Sequence, residues 1–172
     1  MSAPVQYISS IAIDTVIEAL GAFIQPFVGT TQIIRAQANR VAMPVGAFVE
    51  LTEISSIDLE VPRQWYDGAN AQKDIIGPKR IMIQSDFYGE SSGDWCAAVK
   101  TVWRTSYATE QFAAGIAPLY CDDGREVPLV TGEEQYERRW ELNMMLQYNP
   151  VICVPLQSAD ILSMNIVKGV TA

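Results

Sequence analysis

The run Tyr136-Glu137-Arg138-Arg139-Trp140-Glu141-Leu142-Asn143-Met144-Met145-Leu146-Gln147-Tyr148 decides how this chain reads. One parity holds Tyr136, Arg138, Trp140, Leu142, Met144, Leu146 and Tyr148, and the other holds Glu137, Arg139, Glu141, Asn143, Met145 and Gln147. A side-chain period of two predicts a strand with one face in a core and the other against water or a polar partner. On a helix, Trp140, Leu142, Met144 and Leu146 would scatter around the cylinder and bury no single stripe. Thirteen strand residues extend roughly 44 Å, about twice an ordinary strand. Such a strand either bends with its sheet or reaches beyond the domain.

Working back toward the N-terminus, Ala117–Val130 reads as a loop or weak strand, and Thr131-Gly132-Glu133 as the turn into the long strand. Trp95, Val99, Val102, Trp103 and Ser106 mark a helix running to about Tyr107 or Phe112, with Ser91 and Asp94 as an approximate capping box. Arg80–Tyr88 alternates cleanly and predicts a strand ended by Gly89. Residues 60–78 carry Pro62, Gly68, Asn70, Gly77 and Pro78, which predicts a long loop or a splayed hairpin. Ala47–Leu59 is a strand by composition, and its blurred alternation suggests cover on both sides. Val41–Val45 leads into it, and Ile33–Gln37 reads as a short helix or turn. An amphipathic helix follows Ser9 and Ser10 as caps, on Ile13, Val16, Ile17, Leu20, Phe23, Ile24 and Phe27. Pro26 predicts its end near Gln25, and Gly21 weakens it. Residues 1–9 read as an arm.

Beyond the long strand, Asn149-Pro150 breaks the run, Pro150 and Pro155 bracket an edge strand, and Ile161–Val167 is a candidate closing strand. Strands adjacent in sequence usually pair. The expected class is α+β in a single domain over residues 1–172: a mainly antiparallel sheet, two amphipathic helices packed on one face, and a long protruding strand or hairpin.

Composition narrows the chemistry. Hydrophobic residues at 49% with 19% charged describe a globular chain and not a disordered one. A net charge of −8 argues against a grip on nucleic acid through phosphates. The N-terminus lacks the pattern of a signal peptide, and no apolar run approaches the ~20 residues of a membrane span. Cys96, Cys121 and Cys153 are widely spaced, which predicts buried, reduced thiols and a reducing compartment of assembly.

There is no histidine, so Ser-His-Asp and Cys-His nucleophilic sites and histidine metal sites are excluded. Asp122-Asp123-Gly124 with Glu126 lacks the ligand alternation of a calcium loop and reads as a solvated turn. Glu133, Glu134, Glu137 and Glu141 supply carboxylates. Glu137 and Glu141 stand roughly 13 Å apart along a strand, too far for a glycosidase pair. With Arg139 between them they fit a salt-bridge ladder on a polar face. No phosphate-binding, dinucleotide-binding or nucleophile-elbow motif is present. The expectation is a non-enzyme with no cofactor. Trp65 and Tyr66, adjacent aromatics in a polar segment, either pack back on the domain or anchor an interface.

Asn39-Arg40 with Pro44, Asp86-Phe87-Tyr88-Gly89, Pro118-Leu119-Tyr120-Cys121-Asp122-Asp123 and Gly132-Glu133-Glu134-Gln135-Tyr136-Glu137-Arg138-Arg139-Trp140 occur in this order. Asn149-Pro150-Val151 through Gln157 and Ala159-Asp160 continue the series. Together they resemble the neck and tail-terminator proteins of tailed bacteriophages, over residues 39–160. The resemblance implies a small α+β virion protein, assembled in the host cytoplasm, that forms a homo-oligomeric ring, usually a hexamer. Its implied partners are the tail tube protein, the head-connector and neck proteins, and genomic DNA passing through the lumen without specific binding, with no membrane. Negative walls would suit a channel for DNA. No catalytic residues transfer. The interface candidates are Arg40, Trp65, Tyr66, Glu137, Arg139 and Glu141. Two other readings stay open: a head-completion or connector (stopper) protein one layer nearer the capsid, and a soluble binding or chaperone module outside the virion.

Overall fold

Strand pairing around Arg139–Tyr148 organises the molecule. The computed structural model describes residues 9–36, 44–127, 129–130 and 136–155. In chain order the elements are α1 (Ile13–Val28), β1 (Gln32–Arg35), β2 (Phe48–Asp58), β3 (Arg63–Asp67), β4 (Gln72–Ile76) and β5 (Lys79–Tyr88). Then come α2 (Ser92–Trp103), α3 (Ser106–Gln111), β6 (Ile116–Cys121), β7 (Arg125–Glu126), β8 (Leu129–Val130), β9 (Tyr136–Glu137), β10 (Arg139–Tyr148) and β11 (Val151–Pro155).

The main sheet runs β1-β2-β5-β10-β6, with β7 also paired to β10. A smaller sheet runs β11-β4-β3, and β8 pairs with β9. The class is α+β. The main sheet is mixed, because β1 lies parallel to β2 while the pairings of β2, β5, β10, β6 and β7 are antiparallel.

Alternation on β5 and β10 sets the core. Their registers place Trp140 opposite Phe87, Leu142 opposite Ser85, Met144 opposite Ile83 and Leu146 opposite Ile81. This face is buried against Val16, Leu20, Phe23 and Ile24 of α1 and Cys96, Val99 and Trp103 of α2. Each fully buried Leu or Ile contributes about 2 kcal/mol of burial free energy. Phe23 joins the two helices through an edge contact with Trp103 at 5.3 Å and a stacked contact with Phe112 at 5.6 Å.

Several expectations change. The long strand is two strands: β9 and β10 part at Arg138, and β10 is the interior of the sheet, between β5 and β6. Ile33–Arg35 belongs to a strand rather than a helix or turn. β2 is covered on both sides only at its start, where Phe48 and Val49 are both buried. Its first half is buried or half-buried and its second half is exposed from Ile54 onward. The alternation blurred because the pairing with β5 shifts between Glu53 and Ser55, a β-bulge at Ile54 that moves every later residue to the other face. The segment 60–78 is a hairpin rather than a long loop, β3 and β4 joined by a turn whose Asp67 accepts from the N–H groups of Ala69 and Asn70.

Helix ends also differ. α1 starts after Ala12 without a side-chain cap. Ser10 instead binds β11 of the smaller sheet: its N–H donates to Val151 O at 3.0 Å, and its Oγ accepts from Val151 N–H at 2.9 Å. α1 runs through Pro26 to Val28, because Phe27 packs against Phe23 with tilted rings 5.5 Å apart and Val28 is buried. Gln25 Nε2 then donates to Gly29 O at 2.6 Å and to Thr31 O at 3.1 Å, serving carbonyls past the end. Ser91 precedes α2 without a side-chain cap, so the expected capping box is absent. The second helix breaks after Trp103, where Thr105 turns extended and its Oγ1 donates to Val102 O at 2.7 Å; α3 is a third helix. Of the loop or weak strand expected from Ala117, the strand is found, as β6. Arg40, the arm before residue 9, the turn at 131–133 and the closing strand at 161–167 lie outside the described residues.

Candidate interaction surfaces

The second face of the main sheet carries the polar parity of β10, and its groups are tied to one another. Asp86 on β5 is 1% exposed and takes Arg139 of β10 in an ion pair, Nη2 to Oδ2 at 2.9 Å and Nε to Oδ1 at 3.0 Å. Gln84 Nε2 donates to the same carboxylate at 2.8 Å. The paired guanidinium also lies 5.7 Å from the centre of the Tyr88 ring, which stacks on Phe48 at 4.2 Å. Asp86 holds the Arg139 pKa above its usual value. Burial pushes the Tyr88 phenol up to about 12.

Glu141 is 7% exposed and accepts from Arg125 Nη2 of β7 at 2.6 Å. The ladder along Glu137, Arg139 and Glu141 is therefore replaced by pairs across strands. A strand's own i,i+2 neighbours stand near 7 Å apart, whereas its lateral neighbours stand near 5 Å, within easy reach of a salt bridge. Arg139 and Glu141 each tie β10 to a neighbouring strand. Glu137 lies on the wall of an open cleft with Gly46, Ala47, Gly89, Trp95 and Arg138.

The acidic turn after β6 is likewise engaged. Asp123 accepts from Lys100 Nζ at 2.5 Å, Asp122 from Asn143 Nδ2 at 3.4 Å, and Glu126 from Arg138 Nε at 3.3 Å. Lys100 holds the Asp123 pKa below the ordinary carboxylate range. Among the described residues no group of three acidic or thiol side chains is placed to hold a metal. Gly124 is required here: a Cβ on it would come within 2.5 Å of Cys96 Sγ. Cys96 and Cys121 are buried thiols, the first raised to about 11 by burial, while Cys153 is exposed on β11, against expectation.

Trp65 and Tyr66 are different. They sit on β3, at the edge of the small sheet, and as successive strand residues they point to opposite faces. They are 53% and 52% exposed. Neither ring packs fully back on the domain. The same end of the molecule shows further exposed apolar residues: Ile54 and Ile57 on β2, Leu59 and Val61 leading to β3, and Ile152 on β11. Alternation could not reveal those on β2, because the bulge at Ile54 disguises the face they occupy.

Among the described residues, the molecule thus has a large sheet whose buried charges are paired within the chain and a small sheet whose aromatic edge strand has one neighbour. No described helix is long and apolar enough to cross a membrane. No curated protein matches the chain. Among solved structures it is similar to the sheath/tube terminator, in its extended state, of PVC, an extracellular contractile injection system. That similarity has 10% sequence identity and a TM-score of 0.48, covering 96% of this chain and 67% of that chain. The sequence model of the family described as "Phage neck terminator protein" matches residues 14–171. By that match the chain belongs to the phage neck terminator family, structural proteins of the tail and neck.

Proposed function

We propose that this chain forms a ring, six copies around, at the head-proximal end of the tail tube. The ring stops tube growth and joins the tail to the head connector, with DNA passing through its lumen unheld. Family membership along almost the whole chain carries this reading. Two features support it. The net charge of −8 suits a channel wall that repels phosphates. The exposed second half of β2 and the β3–β4 hairpin give each copy an apolar extension beyond its own core. Trp65 and Tyr66 are its anchors toward a neighbouring copy or the tube.

Imaging of purified particles at a resolution that counts subunits tests the reading. A sixfold layer on the end of the tube, next to the neck, is the expected result. A layer against the portal instead would make the chain a connector component. Absence from particles, with a monomer in solution, would overturn the ring altogether.

A further inference from the structure

The two edges of the small sheet are not equivalent. Gly77 N–H donates to Pro150 O at 3.3 Å, so Gly77 and Pro150 face one another as a bonded pair. Antiparallel partners alternate between bonded and non-bonded pairs. From the register of β11 and β4, Ile152 and Val154 direct their backbone groups to β4, while Val151, Cys153 and Pro155 direct theirs outward. Ser10 occupies both groups of Val151. Pro155 has no N–H to offer. The outer edge of β11 is therefore blocked at both ends.

The same alternation carried across β4 to β3 bonds Arg63, Trp65 and Asp67 to β4. It leaves the N–H and C=O groups of Gln64 and Tyr66 facing outward along a strand with no proline in it. Among the described residues, β3 lacks the protection that β11 has.

The residues on β3 are self-complementary about Trp65. An antiparallel copy centred there sets Arg63 opposite Asp67 of the second copy and Asp67 opposite its Arg63. Gln64 and Tyr66, the two residues with free backbone groups, then face each other as bonded pairs. Trp65 faces Trp65 in a non-bonded pair, where side chains approach most closely. A one-residue slip would set outward-facing groups against inward-facing ones. Other registers lose one or both charge pairs. We propose that β3 pairs with β3 of a second copy of this chain, joining the two small sheets into one six-stranded antiparallel sheet across a twofold axis.

A twofold contact is isologous and differs from the contact that closes a ring of six. It is the contact of the free protein, and it covers the aromatic edge before assembly. The inference stands on the geometry of β3 and does not rest on the ring.

Sedimentation equilibrium of the full chain tests it, with a Cys153→Ser background for cross-linking. The wild-type chain is expected to dimerise. Arg63→Asp alone sets like charges together twice per dimer and is expected to weaken dimerisation about tenfold. Adding Asp67→Arg is expected to restore most of that loss, because both pairs are re-formed in reverse. Asp67 also serves the hairpin turn, so a second measurement avoids it. Trp65→Cys is expected to give a disulfide-linked dimer under mild oxidation, while Cys placed at Lys73 on β4 gives none. A chain that stays monomeric, or whose Trp65→Cys variant forms no cross-link, overturns the proposal. So does a dimer that forms equally well with Arg63→Asp and shows no Trp65→Cys link. Pairing of β3 with a foreign strand in the particle, without self-association, would likewise sink it.

Discussion

Arg139 and Asp86 show how a charged residue on a strand can be structural. The carboxylate is buried, and Arg139 and Gln84 supply donors to it. Arg139→Met keeps the length of the side chain and removes the charge, leaving a buried carboxylate without its cation. Chemical denaturation is expected to show a loss of about 3 kcal/mol. Exposed Trp65→Ala, by contrast, is expected to change stability by less than about 0.5 kcal/mol while reducing incorporation into particles. Tyr88 gives a pH prediction. Its folded pKa of about 12 lies above the unfolded value of 10.0, with burial the main cause. The stabilising difference is fully present below pH 10 and is lost as pH rises from there through about 12. Thermal melts are expected to fall over that window, and Tyr88→Phe to flatten part of the fall.

At the scale of elements, α1 and β2 carry the lessons. Gly21 lies inside α1, and a Cβ there would meet Leu51 Cδ1 at 3.7 Å and Ile33 Cγ2 at 3.8 Å, ordinary contact distances. Gly21→Ala is expected to raise stability by about 0.5–1 kcal/mol, read from the shift in denaturation midpoint. Gly124→Ala is expected to do the reverse, by about 1–3 kcal/mol, since its Cβ would overlap the Cys96 sulfur. Both residues are glycines with the same intrinsic freedom. Only their neighbours separate them. The strand character of β5 and the core parity of β10 were legible in the sequence because period-two burial leaves a pattern that needs no knowledge of the partner. The break at Arg138, the bulge at Ile54 and the strand β1 were not legible. Each depends on which strand lies alongside, and β1 in particular pairs in parallel with a strand that begins 13 residues after it ends.

At the scale of the whole molecule, the division of labour between the two sheets is what matters. The large sheet buries the hydrophobic face of β10 on α1 and α2 and satisfies its polar face within the chain. Among the described residues, the small sheet leaves β3 open, with Trp65 and Tyr66 exposed. Arg139 and Glu141, candidates for contacts between copies, are each paired across strands within the chain. Their alternation marked the face they share, but charge alone does not distinguish a solvated side chain from one paired across a sheet. By itself the sequence determined the α+β class, the core face of the central strand, the lack of histidine chemistry and the resemblance to neck terminators. Those follow from local periodicity, composition and ordered motifs. Only the tertiary structure decided that the long strand is interior, that segment 60–78 is a hairpin, and that Ser10 and Pro155 close one edge while β3 stays open. Those features depend on long-range pairing, which brings residues more than a hundred positions apart, such as Ser10 and Val151, into hydrogen-bond contact.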